Sequence, residues 1–148
     1  MHPYPHQYQV TASASPTGSV TVASAGLPAI ASEPPVEFDG PGGAWSPETL
    51  LVGALADCFV LSFRAIARAS RLPWQAVDCR VEGTLDRVDG VAQFSKFRTV
   101  VALTVPPGTD PAKARTLLEK AEHICLISNS LKGARELELS VVEAPASG

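Results

Sequence analysis

The sequence predicts an α+β fold, antiparallel β-sheets around a long buried central helix and a second helix. Three observations predict it. A capped stretch after Ser46 is apolar around its whole circumference at helical spacing; alternating strand patterns, grouped as hairpins, stand before and after it; and a second helix with one apolar stripe precedes a last alternating strand.

The size suits one domain. At 148 residues with 45% apolar and 18% charged side chains, the chain reads as a single domain over 1–148. A chain this long buries roughly 68–70% of its unfolded surface, so it builds a core without disulfide or metal staples.

Tyr8–Ser13 and Ser19–Ser24 are rich in Val, Thr and Ser around Pro16-Thr17-Gly18, a hairpin with its turn at those three residues. A short strand is expected over Pro28–Ser32, and the Pro- and Gly-punctuated stretch Glu33–Gly43 reads as a loop. Ser46 then supplies an N-cap hydroxyl, Pro47 the first helical position and Glu48 an acid in the first turn. From Leu50 to Ile66 the apolar residues leave no polar face, so the helix is expected to be buried on all sides; it ends near Ser70, with Pro73 beyond. Val77, Cys79, Val81 and Leu85 alternate with polar residues, Asp89-Gly90 is a hairpin turn, and Phe94–Val105 returns as a second strand. Asp110-Pro111 caps a helix with Ala114, Leu117, Leu118, Ala121 and Cys125 on one stripe, and Glu136–Val142 closes the pattern as a strand.

Charge narrows the partners. A net charge of −3 leaves no footprint for nucleic acid or an anionic membrane. All twelve Lys and Arg residues lie at or after Arg64, while five acids and no fixed cation precede it. Chemistry in the first 63 residues that needs a positive charge must take it from later in the chain, another subunit or a metal. No signal peptide is visible before Val10, and the apolar run Leu50–Phe63, interrupted by Asp57, is too short for a bilayer. Three cysteines are too few for a secreted disulfide scaffold, so a cytoplasmic, reducing location is expected.

Cys79 falls on the apolar face of its strand and reads as a small buried hydrophobe. Cys58 lies mid-helix beside Asp57, and Cys125 ends the second helix; composition alone leaves both open to a structural role. No metal or cofactor is expected, since there is no CxxC and His123 is only two residues from Cys125.

Two segments carry a resemblance. Ser46-Pro47-Glu48-Thr49-Leu50-Leu51-Val52-Gly53-Ala54-Leu55-Ala56-Asp57-Cys58-Phe59 is similar to the signature of the OsmC/Ohr family, the osmotically inducible and organic hydroperoxide resistance proteins. Cys125 with Ile127-Ser128-Asn129-Ser130-Leu131-Lys132-Gly133 resembles the second cysteine segment of that family. The resemblance implies an OsmC-like fold, an intertwined homodimer with sites at the subunit interface, and a thiol peroxidase serving the antioxidant response to oxidative stress. On that analogy the Cys58 thiolate attacks an organic hydroperoxide and becomes a sulfenic acid. Cys125 resolves it to a Cys58–Cys125 disulfide, which an external dithiol, such as a lipoylated protein, or a small thiol reduces. Glu48 matches the family's active-site glutamate, which pairs with an arginine near the thiolate.

The chain departs from the family at two points. The N-terminal segment that supplies the arginine holds no Arg or Lys, and Leu126 follows Cys125 where proline is common. Arg64, Arg98, Lys132 or a protonated His123 are the substitute cations the sequence offers. Without a cation a mid-helix thiol surrounded by Leu, Val and Phe keeps a high pKa. A second function class therefore stands beside the enzyme: a non-catalytic OsmC-like protein that binds a small apolar or thiol ligand or senses oxidation.

The helix gives its own argument for a dimer. Glu48 and Cys58 are ten residues apart, about 15 Å along a continuous helix. If Glu48 serves a thiolate, that thiolate is the partner subunit's; otherwise Glu48 is an acid complementing the helix N-terminus. A site lined by Phe59, Trp45 and helix leucines is expected to favour alkyl hydroperoxides over hydrogen peroxide.

Overall fold

The computed structural model describes residues 1–146. They form two compact units, one over Met1–Leu51 and one from Val52 onward.

In the first unit, β1 (Thr11–Ser13), β2 (Val20–Ala23) and β3 (Ile30–Ser32) make an antiparallel sheet in the order β1-β2-β3. Gly18 takes a φ of 92 in the first connection, where the sequence puts the turn. A single 3₁₀ turn over Val36–Phe38 interrupts the long loop. Gly40 closes it tightly: a Cβ there would fall 1.8 Å from the Pro34 carbonyl oxygen, a contact only glycine permits.

The loop delivers the chain to α1 (Pro47–Ala69). Its N-terminus is capped reciprocally. The Thr49 amide donates to Ser46 Oγ at 3.2 Å, and the Ser46 amide donates to Thr49 Oγ1 at 2.8 Å, so two orphan donors are satisfied at once. The helix ends with Arg71 in the left-handed region (φ 54) and the Leu72 amide on the Ala67 carbonyl.

The all-round burial expected for α1 is not what the fold provides. Its buried residues are Leu55, Phe59, Phe63, Ile66 and Ala67, a single stripe, and 28% of its most apolar stretch is buried. Ala54, Leu61 and Ala65 form an exposed stripe, with Leu61 at 50% exposure. By length and composition alone α1 could cross a membrane, which corrects the shorter reading of the run; its buried stripe instead packs into a protein core.

In the second unit β4 (Ala76–Val88) and β5 (Val91–Val105) form an antiparallel hairpin. Asp89 and Gly90 both have positive φ, 52 and 79, the backbone of the two-residue turn that Asp-Gly signals. The helix α2 (Pro111–Ile124) is capped by the Asp110 carboxylate, which accepts from the Ala112 amide at 3.0 Å. A one-turn helix α3 (Leu126–Asn129) follows. Then β6 (Ala134–Glu143) joins β5, and here the all-antiparallel expectation needs correcting: the pair is parallel, Lys96 opposite Ala134 through Val105 opposite Glu143. A crossover through α2 carries the chain back to the starting end of β5, which is what a parallel pairing requires.

The main core joins the second half of α1 (Phe59, Phe63, Ile66) to Val101, Leu103 and Val105 of β5 and to Ala114, Leu118 and Ala121 of α2. Cys79 packs against this core from β4, the position its alternation assigns.

Candidate functional site

The site grows from a second, smaller cluster. Leu55 of α1, Phe97 of β5 and Cys125 are buried together, and Val52, Cys58, Val81, Phe94, Ile127 and Leu131 pack against them. Cys58 and Cys125 are 67 positions apart in sequence, and the fold brings both sulfurs into this one apolar cluster. All three cysteines are free thiols.

Each thiol is held by an identifiable device. Cys58 lies on α1 between the buried stripe and the exposed one and is itself half-buried. Cys125 is fully buried and stands at the joint of two helices, the C-cap of α2 and the N-cap of α3. Burial pushes its thiol up to about 11; the Ser128 backbone amide pulls the other way, and the Cys58 thiol and the Glu122 carboxylate add to the rise. Cys79 is also pushed up to about 11, first by burial and then by the charges of Glu122 and Cys125. Cys125 therefore rests as a protonated thiol at neutral pH.

The aromatic lining differs from the sequence expectation. Phe59 belongs to the main core, and Trp45 is 55% exposed in the other unit. Phe94 and Phe97 line the thiols instead, stacked with ring centroids 5.3 Å apart. Three residues apart on a regular strand, they would face opposite sides. Leu85 pairs with Phe94 and Thr84 with Lys96, so Ser95 is an extra residue on β5, a bulge that returns Phe97 to the face of Phe94. The expected helix leucine is present as Leu55.

Of the substitute cations, Arg98 is engaged away from the thiols. Arg98 alternates with buried Phe97 and Thr99 on β5 and pairs on the other face of the sheet with Glu82 at 3.5 Å and with Glu138. Arg64, His123 and Lys132 are exposed. Among the described residues every hydrogen bond from an arginine or lysine side chain goes to an oxygen: Gly90, Glu82, Glu138, Ser70, Glu122 and Asn129. Glu48 stands in the first turn of α1 within the other unit, and its Oε2 is buried with no hydrogen-bond partner among the described residues.

Residues 40–140 match the OsmC-like protein family. The chain belongs to the OsmC family. It is 33% identical over 108 residues to the uncharacterized protein YmaD of Bacillus subtilis, covering 71% of this chain and 72% of that one. It is 32% identical over 110 residues to the organic hydroperoxide resistance protein of Xanthomonas axonopodis pv. citri, covering 72% and 74%. Among solved structures, an OsmC-like protein of unknown function from Vibrio cholerae superposes with a TM-score of 0.82 at 16% identity, over 93% of this chain and 100% of that one. An organic hydroperoxide resistance protein from Legionella pneumophila does so with a TM-score of 0.72 at 25% identity, over 95% and 99%. The α+β OsmC fold is thereby established, and the family supports a redox or peroxide-related role in general.

For an OsmC protein the sequence left two features unseen. Nothing in the spacing of Phe94 and Phe97 reveals the bulge that unites them. Nor does it reveal that Glu122 and Arg135, 13 residues apart, meet beside Cys125 with Arg135 Nη2 at 2.7 Å from Glu122 Oε1. The i, i+3, i+4 stripe of α2 excludes Glu122, so its half-burial arises only when the chain doubles back.

Proposed function

We propose that this OsmC protein is a thiol peroxidase that reduces organic hydroperoxides, with Cys58 as the attacking sulfur and Cys125 as the resolving one. The carrying observation is the packing of these two free thiols, one on α1 and one at the joint of α2 and α3, in one apolar cluster. The Cys58 thiolate attacks the terminal peroxide oxygen: an S–O bond forms, the O–O bond breaks, and the alcohol leaves after taking a proton. The sulfur, now a sulfenic acid, has given two electrons. Cys125 then attacks that sulfur; the S–S bond forms, the S–OH bond breaks and water leaves with the Cys125 proton. An external dithiol or thiol reduces the disulfide and is itself oxidised. The raised pKa of Cys125 supports this division of labour, since a protonated thiol is a poor attacker of peroxide.

The reading includes a homodimer built on α1, in the reducing cytoplasm. The exposed stripe of Ala54, Leu61 and Ala65 supports a second copy seated there. Glu48 supports it too, because a buried carboxylate oxygen with no donor is costly, and in this reading Glu48 serves the Cys58 of a second subunit.

One observation favours a second reading, a non-catalytic OsmC-like protein that binds a small apolar or thiol ligand or senses oxidation. Among the described residues, the hydrogen bonds made by Arg87, Arg98, Lys113 and Arg135 side chains go to oxygens and none goes to a thiol. Thiol titration against an alkyl hydroperoxide separates the two. Rapid loss of two thiols per chain, abolished by Cys58→Ser, supports the peroxidase; no loss supports the binding protein. In the same assay the apolar lining of Phe94, Phe97 and Leu55 predicts faster turnover of the alkyl hydroperoxide than of hydrogen peroxide, and the reverse order would overturn that substrate class.

A further inference from the structure

The short helix that begins at Cys125 is fastened by a network that the thiol chemistry above does not use. Glu122 Oε1 accepts from Arg135 Nε at 2.9 Å, from Arg135 Nη2 at 2.7 Å and from Ser128 Oγ at 3.1 Å. Arg135 Nη2 also donates to the Glu122 carbonyl at 2.8 Å, and Nη1 to Asn129 Oδ1 at 3.1 Å. Asn129 Nδ2 in turn donates to the His123 carbonyl at 3.1 Å. One guanidinium thus ties together the end of α2, the last two residues of α3 and the start of β6.

This pair is not an ordinary surface contact. The Glu122 side chain is 17% exposed, and Arg135 Nε and Nη2 converge on its one oxygen Oε1 while Nη1 reaches Asn129, so the planar guanidinium fixes direction as well as distance. The bonds bracket Cys125 on both sides: Glu122 and His123 precede it, Ser128 and Asn129 follow it. A four-residue helix has too few internal bonds to be stable alone, so the direction of the Cys125 sulfur depends on what holds that turn.

We infer that Arg135, acting through Glu122, Ser128 and Asn129, is a positioning residue that holds the Cys125 turn so that its sulfur stays against Cys58. The inference rests on the reading of Cys125 as the resolving thiol. With the clamp in place, the turn that carries Cys125 is already ordered when the disulfide closes. Without it, the turn must first be ordered, and the cost falls on S–S closure rather than on the attack of Cys58 on peroxide.

The experiment uses the whole chain in two arms. In glutathione redox buffers the dithiol passes two electrons to glutathione disulfide, the Cys58–Cys125 bond forms and two glutathione thiols are released. The equilibrium gives the effective concentration of one sulfur at the other without any peroxide. Arg135→Met is expected to lower it about tenfold or more, the scale of a lost charge-assisted hydrogen bond. Arg135→Lys, which keeps a donor and loses the fork, is expected to recover part of the loss. In the peroxide arm, Arg135→Met is expected to accumulate Cys58 sulfenic acid, trapped by a carbon nucleophile, while the first oxidation keeps its rate. An unchanged glutathione equilibrium in folded Arg135→Met overturns the inference. If that variant does not fold, Ser128→Ala, which removes one bond, is expected to show a smaller loss, and an unchanged value there overturns it equally. A wild-type chain inert to peroxide would defeat the peroxidase reading, and the glutathione arm would still decide the positioning claim.

Discussion

Gly83 of β4 makes room for the Phe94 ring: a Cβ at position 83 would stand 2.9 Å from Phe94 Cε1 and 2.9 Å from Val52 Cγ2. Both neighbours line the thiol cluster. Gly83→Ala is therefore expected to displace the ring, costing about 1–3 kcal/mol of stability as overpacking does. It is also expected to speed alkylation of Cys125 by a thiol reagent, because the cover over that sulfur is loosened. Urea unfolding and mass-spectrometric labelling measure the two effects.

Phe97 and Arg98 are adjacent on β5 and serve opposite faces, Phe97 with Cys125 and Arg98 with Glu82 and Glu138. Arg98→Ala should leave the rate of thiol oxidation within about twofold and cost about 1 kcal/mol or less, the scale of exposed ion pairs. Phe97→Ala should cost about 3–5 kcal/mol. A large loss of oxidation rate in Arg98→Ala, measured by stopped-flow, would return Arg98 to the thiol chemistry.

The buried thiols make stability fall in alkali. Cys79 and Cys125 both have folded-state pKa values raised from 9.0 to about 11. A raised folded pKa means the unfolded chain loses its proton first, so the stabilising effect is complete below about pH 9 and disappears as pH climbs to about 11. Within that window each thiol contributes a slope of up to about 1.4 kcal/mol per pH unit. Urea midpoints recorded from pH 8 to 11 should fall, and Cys79→Val should flatten the slope. A midpoint independent of pH in the wild type would contradict the assignment.

The exposed stripe of α1 bears on assembly. Wild-type protein is expected to sediment as a dimer, and Leu61→Arg, at a position half exposed in the single chain, to shift it to monomer while the far-ultraviolet circular dichroism is kept. Glu48→Gln is expected to slow thiol oxidation about tenfold or more, consistent with loss of an acid–base or charge-assisted contact. A monomeric wild type would remove the shared-site part of the proposed function.

Local signals in this sequence were legible where local chemistry decides the outcome. Ser46 and Asp110 cap helices, Asp89-Gly90 turns a hairpin, and Gly18 sits at the first turn. The pairing of Cys58 with Cys125 is an expectation from the family resemblance alone; in the fold both residues pack in one apolar cluster. What stayed hidden depends on distant parts of the chain. The parallel course of β6 follows from where α2 delivers the chain, and the one-sided burial of α1 from how little of the molecule there is to cover it. The Ser95 bulge is set by cross-strand register, which alternation along one strand does not encode. The Glu122–Arg135 clamp joins two residues that each read as ordinary surface charge.

The parallel pairing of β6 has a consequence for which side chains travel together. It sets Arg135 opposite Phe97, so one strand register places both the ring packed with Cys125 and the guanidinium bonded to Glu122 beside it. A slip of β6 by a single residue would turn Arg135 to the opposite side of the sheet and undo both placements at once.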